Sequence, residues 1–312
     1  MSEEEQAELP HDLRQDAARN EADSGTGDAV RLTALDDLFR STITYRRSES
    51  FLQLMQFISR FPRYAPFNCF LLYTQNPNIS YVATPGQWLN RYGRKIKPEA
   101  RPLVILVPMG PVQFVYDMAD TEGNPLPTQL ENPFETNGNL PSQVWELTTA
   151  NCENRDRIAI QLRTLGVLEA GYAARFNPKN TPAVGQKRLP CKLTVTINER
   201  LSRNDQYSTL VHELAHIHCG HLGTDSDLWW PDRGRVSKVV CEFEAESVSY
   251  IVCSRLGLTT KSAEYLAGYA NNDAALPPIS LDTVLKAAGY IESLGRRRLP
   301  ERKEQKSKAS PS

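Results

Sequence analysis

The sequence predicts an α+β protein in which a mixed helix-and-strand N-terminal half precedes a mostly helical C-terminal half. Three observations favour this fold class. Apolar residues recur at helical spacing before residue 60, short strand-like runs lie within 103–116, and a β-branched run followed by two helical patterns occupies 193–250. With 312 residues, of which 40% are hydrophobic, the chain is long enough for two modest domains.

The N-terminal half contains helices and a strand pair, each bounded by turn-forming residues. Thr84 and Pro85 mark a helix start, because threonine caps a helix and proline suits its first turn. The predicted elements are two helices within 30–60, a helix over Asn68–Tyr73, a helix from Thr84, a basic turn over Gly93–Lys97, and paired strands over Leu103–Val107 and Val112–Tyr116.

The C-terminal half is predicted to begin with a helical pattern over Asn154–Leu168. A short β-branched strand follows at Leu193–Ile197, and the cap candidates of Ser202–Asp205 then open a helix that Gly220 ends. A second long helix is predicted over Val239–Tyr250.

The first of these two helices carries the spacing His-Glu-x-x-His at residues 212–216. Residues i and i+4 of a helix lie one above the other, so His212 and His216 can direct two imidazoles at one zinc ion. Glu213 is rotated by about 100° around the helix, which places its carboxylate where it can take a proton from an activated water. The motif alone recurs by chance, but four of the five histidines in the chain lie between His212 and His221.

The second helix supplies the third protein ligand that catalytic zinc usually takes. Glu242, Glu246 and Tyr250 recur at i, i+4 and i+8 and therefore share one helical face. We predict Glu242 as the third ligand and Glu246 as the partner that fixes a ligand imidazole through its other ring N–H. Tyr250 is predicted to polarise a carbonyl or to hold an oxyanion.

The six cysteines are scattered and contain no Cys-x-x-Cys pair. This spacing indicates neither a disulfide framework nor a zinc knuckle, so buried thiols are expected. Cys219 and Cys241 lie near the predicted site in sequence and stay open as alternative zinc ligands, although the shared helical face favours Glu242.

The strand, the His-Glu-Leu-Ala-His helix and the Glu-Phe-Glu-Ala-Glu helix together resemble the ImmA/IrrE-type metallopeptidases and the peptidase half of ArdC-type antirestriction proteins. The resemblance implies a mostly helical, zincin-like metallopeptidase domain with a gluzincin-like site. In such sites the first glutamate of the second helix is a ligand, and a residue four positions on supports it. Glu242 and Glu246 match these two positions.

The order of elements in the N-terminal half is similar to the ArdC type, whose N-terminal module is associated with single-stranded DNA binding. A groove for single strands combines cations that follow the phosphates with aromatic faces that stack on bases. Trp88, Arg94, Lys95 and Lys97 are therefore the predicted DNA contacts. The alternative interpretation is that Trp88 belongs to the core and the cations lie on a solvated turn.

Both ends of the chain are charged and lack apolar periodicity, which is typical of disorder. No apolar run reaches the roughly 20 residues of a membrane helix, and Met1 is followed by acids, so a cytoplasmic protein without a membrane partner is expected. The predicted organisation is a disordered acidic tail over 1–29, an ArdC-like module over 30–125, a linker or loop over 126–153, a zincin-like metallopeptidase domain over 154–295, and a disordered basic tail over 296–312.

The predicted function is a zinc-dependent metallopeptidase that hydrolyses a peptide bond in a protein substrate, with Glu213 as the base. Two alternatives stay open. One is an antirestriction-like DNA-binding protein in which zinc is structural and no proteolysis occurs. The other is a metal-free helical domain in which the motif is fortuitous. The net charge of −1 favours no nucleic-acid partner for the chain as a whole.

Overall fold

The computed structural model describes residues 48–107, 110–125, 138–166, 169–176, 182–224, 227–271 and 276–302. The fold is α+β, as predicted, and it divides into two compact units. Within the described residues, the first unit runs from 68 to 125, and the second unit contains 48–67 and the chain from 138 onward. The predicted acidic tail, residues 30–47 and residues 303–312 lie outside the described residues.

The described elements begin with the helices and strands that precede the second half of the chain. They are α1 (Ser48–Ser59), α2 (Pro66–Gln75), β1 (Val82–Ala83), α3 (Pro85–Tyr92), β2 (Arg94–Ile96), β3 (Leu103–Val107), β4 (Gly110–Asp117) and β5 (Thr121–Gly123). The later elements are α4 (Ser142–Asn154), β6 (Ile158–Arg163), β7 (Gly171–Arg175), β8 (Ala183–Val184), β9 (Leu189–Pro190), β10 (Leu193–Asn198), α5 (Arg203–His218), α6 (Lys238–Arg255), α7 (Lys261–Asn271) and α8 (Leu281–Arg296).

The first unit is built on an antiparallel sheet with the strand order β1-β4-β3. Trp88 of α3 is fully buried beside it, and its ring N–H donates to the Tyr116 carbonyl oxygen at 3.0 Å. The predicted start of α3 is confirmed, because the Thr84 side chain accepts from the Gln87 N–H and the Gln87 side chain accepts from the Thr84 N–H.

Two side-chain amides of α2 cover the edge of β3. Asn68 donates to the Leu106 carbonyl at 2.9 Å and accepts the Leu106 N–H at 3.0 Å. Gln75 makes the same pair of bonds with Val104, both at 2.8 Å. These bonds satisfy edge backbone groups that would otherwise be open to pairing with another chain.

The second unit is organised around β10, which pairs in parallel with β6 and antiparallel with β7. Every residue of β10 is buried, including Thr194, Thr196 and Asn198, the polar residues that alternate with its apolar ones. The helix α5 follows β10 and packs on both β10 and β7, while α6 packs on α5. The helices α1, α7 and α8 then pack on α6.

A single glycine brings β7 close to α5. A Cβ atom at Gly171 would lie 2.6 Å from the Thr196 carbonyl oxygen and 2.7 Å from the Thr209 methyl carbon. No side chain fits in that space, so glycine lets the strand approach both the sheet and the helix. This approach places β7 beside the face of α5 that carries His212 and Glu213.

Two predictions for the start of the C-terminal half are wrong. Part of the predicted linker is the helix α4, and the predicted helical pattern over 154–168 contains the strand β6 instead. The buried residues of α4 include Thr148, Asn151 and Cys152, so its inner face is largely polar and gives no apolar periodicity. The strand β6 is only six residues long and four of these residues are apolar, and so short a pattern does not distinguish a strand from a helix.

Residues 297–302 of the predicted basic tail are packed against other residues of the second unit. The Asn151 side chain donates to the Arg297 carbonyl at 2.8 Å and accepts the Leu299 N–H at 2.9 Å. Arg302 then reaches the fully buried Asp156 carboxylate at 2.6 Å. A cation-rich composition does not reveal this buried partner, so the prediction of disorder for these six residues is wrong.

In the part of the chain that the structure describes, no helix combines the length and the apolar character needed to cross a bilayer.

Candidate metal centre

Two capped helices place the predicted metal ligands opposite one another. The Ser202 side chain accepts the Asp205 N–H at the start of α5, and Ser237 caps α6 in the same way. Because α5 and α6 pack together, the face of α5 that carries His212 and His216 meets the face of α6 that carries Glu242.

The three predicted ligand side chains converge on one point. The Nε2 atoms of His212 and His216 lie 3.1 Å apart. One Glu242 carboxylate oxygen lies 3.6 Å from the first Nε2 atom and 3.8 Å from the second. Tetrahedral bonds of the length found in zinc sites separate two donor atoms by about 3.3 Å. Two imidazoles and one carboxylate at these distances fit a divalent metal ion.

Glu246 lies beside His212, on the other side of the ring from the predicted metal position. Its Oε1 atom is 3.5 Å from His212 Nδ1, on the side of the ring away from Glu242. Its carboxylate thus faces the ring nitrogen that a metal bound at Nε2 would leave free.

Glu213 lies beside the three donors and is half-buried. Burial raises the pKa of the Glu213 carboxyl, although the His212 charge and the Ala173 N–H both act to lower it. A carboxylate with a raised pKa takes up a proton more readily near neutral pH, which is the property of a general base.

The imidazoles of the two predicted histidine ligands differ in their preference for a proton. Burial, followed by the charges of His212 and His221, lowers the pKa of His216 to about 4. Burial also disfavours charge on His212, but Glu242 and two further glutamates outweigh it and raise the pKa of His212. His216 is therefore neutral at pH 7 and able to coordinate, whereas the neighbouring carboxylates favour a proton on His212, with which a metal ion would compete.

The site opens into a cleft of about 580 Å³. Its walls come from β7 on one side and from the start of α6 on the other. Tyr172, with 42% of its surface exposed, projects from the strand, and Lys238 lies at the first position of the helix. The cleft thus joins the three donors and Glu213 to solvent.

Tyr250 does not line this cleft, and its predicted role is not supported. Eight residues along a helix correspond to a rise of about 12 Å, so a shared face does not mean a shared site. Burial raises the pKa of the Tyr250 hydroxyl, which hydrogen-bonds to Ser254 and to Ser59 of α1.

Of the four predicted DNA contacts in the first unit, three are buried or bonded within the protein and one is exposed. Trp88 is fully buried, so its ring cannot stack on a base, and the alternative interpretation is correct for this residue. Arg94 donates to Thr121 and Asn124 and joins β2 to β5. Lys97 donates to the Ala119 carbonyl at 2.8 Å, whereas Lys95 is exposed.

The sequence prediction missed a second cluster behind His216, which contains His221, Glu244 and Arg233. His221 Nδ1 lies 3.0 Å from His216 Nδ1, and His221 Nε2 lies 2.9 Å from the Glu244 carboxylate. Arg233 binds both oxygens of that carboxylate, at 2.6 and 2.7 Å. The sequence signal for this cluster was His221, the last of the four clustered histidines, which directly follows Gly220.

Neither cysteine proposed as an alternative ligand joins the first set of donors. Cys219 lies near His221 and Glu244, and burial raises the pKa of its thiol well above the ordinary value. Cys241 lines the cleft, but its sulfur donates to the Val236 carbonyl at 3.6 Å.

Residues 169–245 match the family model Peptidase_M78, which describes an IrrE N-terminal-like domain. The match confirms the resemblance to the ImmA/IrrE type for this segment, which contains His212, Glu213, His216 and Glu242. It identifies the segment as metallopeptidase-like. No curated protein matches the chain.

Two crystal structures of the antirestriction protein ArdC from plasmid R388 are similar to this chain. The metal-free structure is 17% identical, with 73% of this chain and 81% of that chain covered and a TM-score of 0.34. The Mn(II)-bound structure is 15% identical, with 78% and 97% covered and the same TM-score of 0.34.

Proposed function

We propose that this chain is a zinc-dependent metallopeptidase that hydrolyses a peptide bond in a protein substrate. The observation that carries the proposal is the convergence of His212, His216 and Glu242 at the floor of an open cleft, with Glu213 beside them. A structural zinc site is normally closed by four protein ligands, whereas a site with three ligands and access to solvent suits catalysis.

His212, His216 and Glu242 would hold the ion. When bound, zinc acidifies water and polarises a carbonyl group. Glu213 would accept the proton of the attacking water at its carboxylate and pass it to the leaving amine. The raised pKa of Glu213 suits both transfers.

The strand β7 would bind the substrate backbone. In the described sheet β7 pairs with β10 on one side only, and Gly171, Tyr172 and Ala173 of this edge strand line the cleft. An extended peptide can add to such an edge as a further strand. Tyr172 projects from this strand into the cleft and would contact a substrate side chain.

Replacing Glu213 with Gln tests the chemistry while keeping the side-chain volume. We expect Glu213→Gln to bind one equivalent of zinc, as the wild type does, and to lose cleavage of a peptide library monitored by mass spectrometry. Retained cleavage in the variant would exclude Glu213 as the base. Zinc binding without any cleavage by the wild type would favour the alternative in which zinc is structural.

A second proposal concerns single-stranded DNA binding by the first unit. Lys95 is exposed, and Phe114 on β4 has 52% of its surface exposed, so the unit offers a cation and an aromatic face to solvent. We expect a labelled oligonucleotide to bind the full chain with an affinity that falls as salt rises. Phe114→Ala should weaken that binding, and equal binding by the variant would remove the stacking role.

A further inference from the structure

The ligand His216 has both ring nitrogens in defined contacts. Its Nε2 atom points at the three-donor site, and its Nδ1 atom lies 3.0 Å from His221 Nδ1. Two ring nitrogens at this distance share one hydrogen, so one of them donates and the other accepts. The partner of His216 is itself a histidine, and its own tautomer therefore decides the direction of the bond.

The carboxylate of Glu244 settles that direction. Glu244 is fully buried, and its two oxygens receive both terminal nitrogens of Arg233 and the Ser280 N–H at 2.7 Å. The Arg233 guanidinium binds both oxygens of Glu244, as it does in an ion pair with a carboxylate. The group is an acceptor only, so His221 must donate to it through Nε2.

A neutral imidazole has one ring hydrogen, so a hydrogen on Nε2 leaves a lone pair at His221 Nδ1. His216 must then carry its hydrogen on Nδ1, which leaves the lone pair of His216 Nε2 directed at the three-donor site. One tautomer set therefore satisfies every contact from Arg233 to the metal position.

A backbone turn that requires glycine at position 220 places His221 next to His216. Gly220 has a φ angle of +79°, and a Cβ atom there would lie 2.1 Å from the Pro231 carbonyl oxygen. The turn brings the His221 N–H to the His216 carbonyl at 2.9 Å, and the Arg233 N–H binds the Gly220 carbonyl at 3.0 Å. Backbone bonds thus fix the histidine and the arginine in relation to the end of α5.

The same cluster does not suit a second metal ion. Cys219, His221 and Glu244 offer donor atoms within 4.8 Å of one another. However, the Arg233 guanidinium already supplies a cation to both Glu244 oxygens, and both nitrogens of His221 are engaged. Arginine thus takes the place that an ion would need.

We propose that His221, oriented by Glu244 and Arg233, is a positioning residue that holds His216 in the tautomer that binds metal through Nε2. The inference rests on the proposed metal site and deepens it. The contact that orients His212, the other predicted histidine ligand, is longer and more exposed. Glu246 lies 3.5 Å from His212, and the Glu246 side chain is 21% exposed. The Glu244 side chain is completely buried. His216 is accordingly the ligand whose orientation the fold sets in advance.

The tautomers can be measured in the unmodified full chain. In zinc-loaded protein with ¹⁵N-labelled histidine, long-range ¹H–¹⁵N spectra should show His221 with its hydrogen on Nε2 and His216 with its hydrogen on Nδ1. A spectrum with the His221 hydrogen on Nδ1 would overturn the proposal without any mutation.

Two substitutions of His221 test separately whether its hydrogen-bond acceptor or its ring shape is needed. Asn keeps a carbonyl oxygen near the place of Nδ1, whereas Phe keeps a ring without any acceptor. We expect His221→Phe to weaken zinc affinity by about 10- to 100-fold in competition with a chelating dye, and His221→Asn to stay within a few-fold of the wild type. Melting curves of the metal-free proteins report whether either substitution disturbs folding.

The outcomes distinguish this inference from the proposed function. If the wild type binds no zinc, the proposed function fails and the positioning role fails with it. If the wild type and His221→Phe bind zinc equally, only the positioning role is overturned. Binding of two Co²⁺ ions with a sulfur charge-transfer band would also overturn it, because Cys219 and His221 would then be ligands.

Discussion

Glu242 and Glu244 are two residues apart on α6 but face different partners. Their side chains are separated by about 200° around the helix. Glu242 reaches the imidazoles of His212 and His216 with 37% of its side chain exposed, whereas the Glu244 side chain is completely buried against Arg233 and His221. The Glu242 carboxylate can therefore coordinate an ion, whereas the charge of the Glu244 carboxylate is neutralised by Arg233.

Glu242 and Glu246 provide a matched test at the residue scale. Both substitutions to Gln keep size and remove one charge, but Glu242 lies among the donors while Glu246 lies behind His212. We expect Glu242→Gln to abolish stoichiometric zinc binding and Glu246→Gln to weaken it by about 10- to 100-fold. Isothermal titration with zinc measures both. Equal losses in the two variants would contradict the assignment of roles.

The relative placement of the candidate site residues could be predicted from sequence where helical spacing fixes it. His212, Glu213 and His216 follow from helical spacing, and Glu242 follows from the register of a second helix. The position of Tyr250 was not predictable, because helical phase gives the face of a residue but not its distance from the site.

At the scale of elements, the short separation between β7 and α5 shapes the cleft. Gly171 permits this separation, and the next residues of β7 supply the Ala173 N–H to Glu213 and the Tyr172 side chain to the cleft. The strand therefore joins the fold of the sheet to the chemistry of the site.

Gly171→Ala should push β7 away from the sheet and from α5. We expect a lower melting temperature and a loss of peptide cleavage, while zinc binding remains because no ligand lies on the strand. Gly166→Ala is the matched control, since a Cβ atom there meets nothing within 4 Å. Cleavage that is unchanged in Gly171→Ala would contradict the role of the strand.

A buried ion pair ties the helices of the second unit together. Arg255 of α6 contacts Glu292 of α8 at 2.5 Å and donates to the Ile58 carbonyl of α1 at 3.1 Å. This contact explains how residues 48–67 join the C-terminal elements, although the sequence predicted them as part of the N-terminal module. Such partnerships between distant residues leave no local pattern in a sequence.

Arg255→Met should destabilise the folded chain by about 3–5 kcal/mol, because it leaves the buried Glu292 carboxylate without its main partner. Burial already raises the pKa of Glu292, although Arg255 and Arg296 act to lower it. Loss of Arg255 raises that pKa further, so protonation at lower pH neutralises the unpaired group, and the deficit should shrink from pH 8 to pH 5.

Urea unfolding of the wild type and of Arg255→Met at both pH values measures this deficit. The double variant Arg255→Met/Glu292→Met should recover most of the stability, because it removes both buried charges. A deficit that grows as the pH falls would contradict the assignment.

At the scale of the whole molecule, the α+β class and the order of most elements were predictable. The helices α3, α5 and α6 and the strands β3, β4 and β10 carry clear local signals, such as caps, turns or branched runs. The helix α4 and the segment 297–302 carry none, since polar side chains and buried ion pairs hold them in place.

We infer that one metal ion binds between α5 and α6. Anomalous diffraction at the zinc edge from crystals of zinc-loaded Glu213→Gln locates the ion directly. We predict a single peak about 2.0–2.2 Å from His212 Nε2, His216 Nε2 and a Glu242 oxygen. A peak between Cys219, His221 and Glu244, or no peak in either place, would contradict this account.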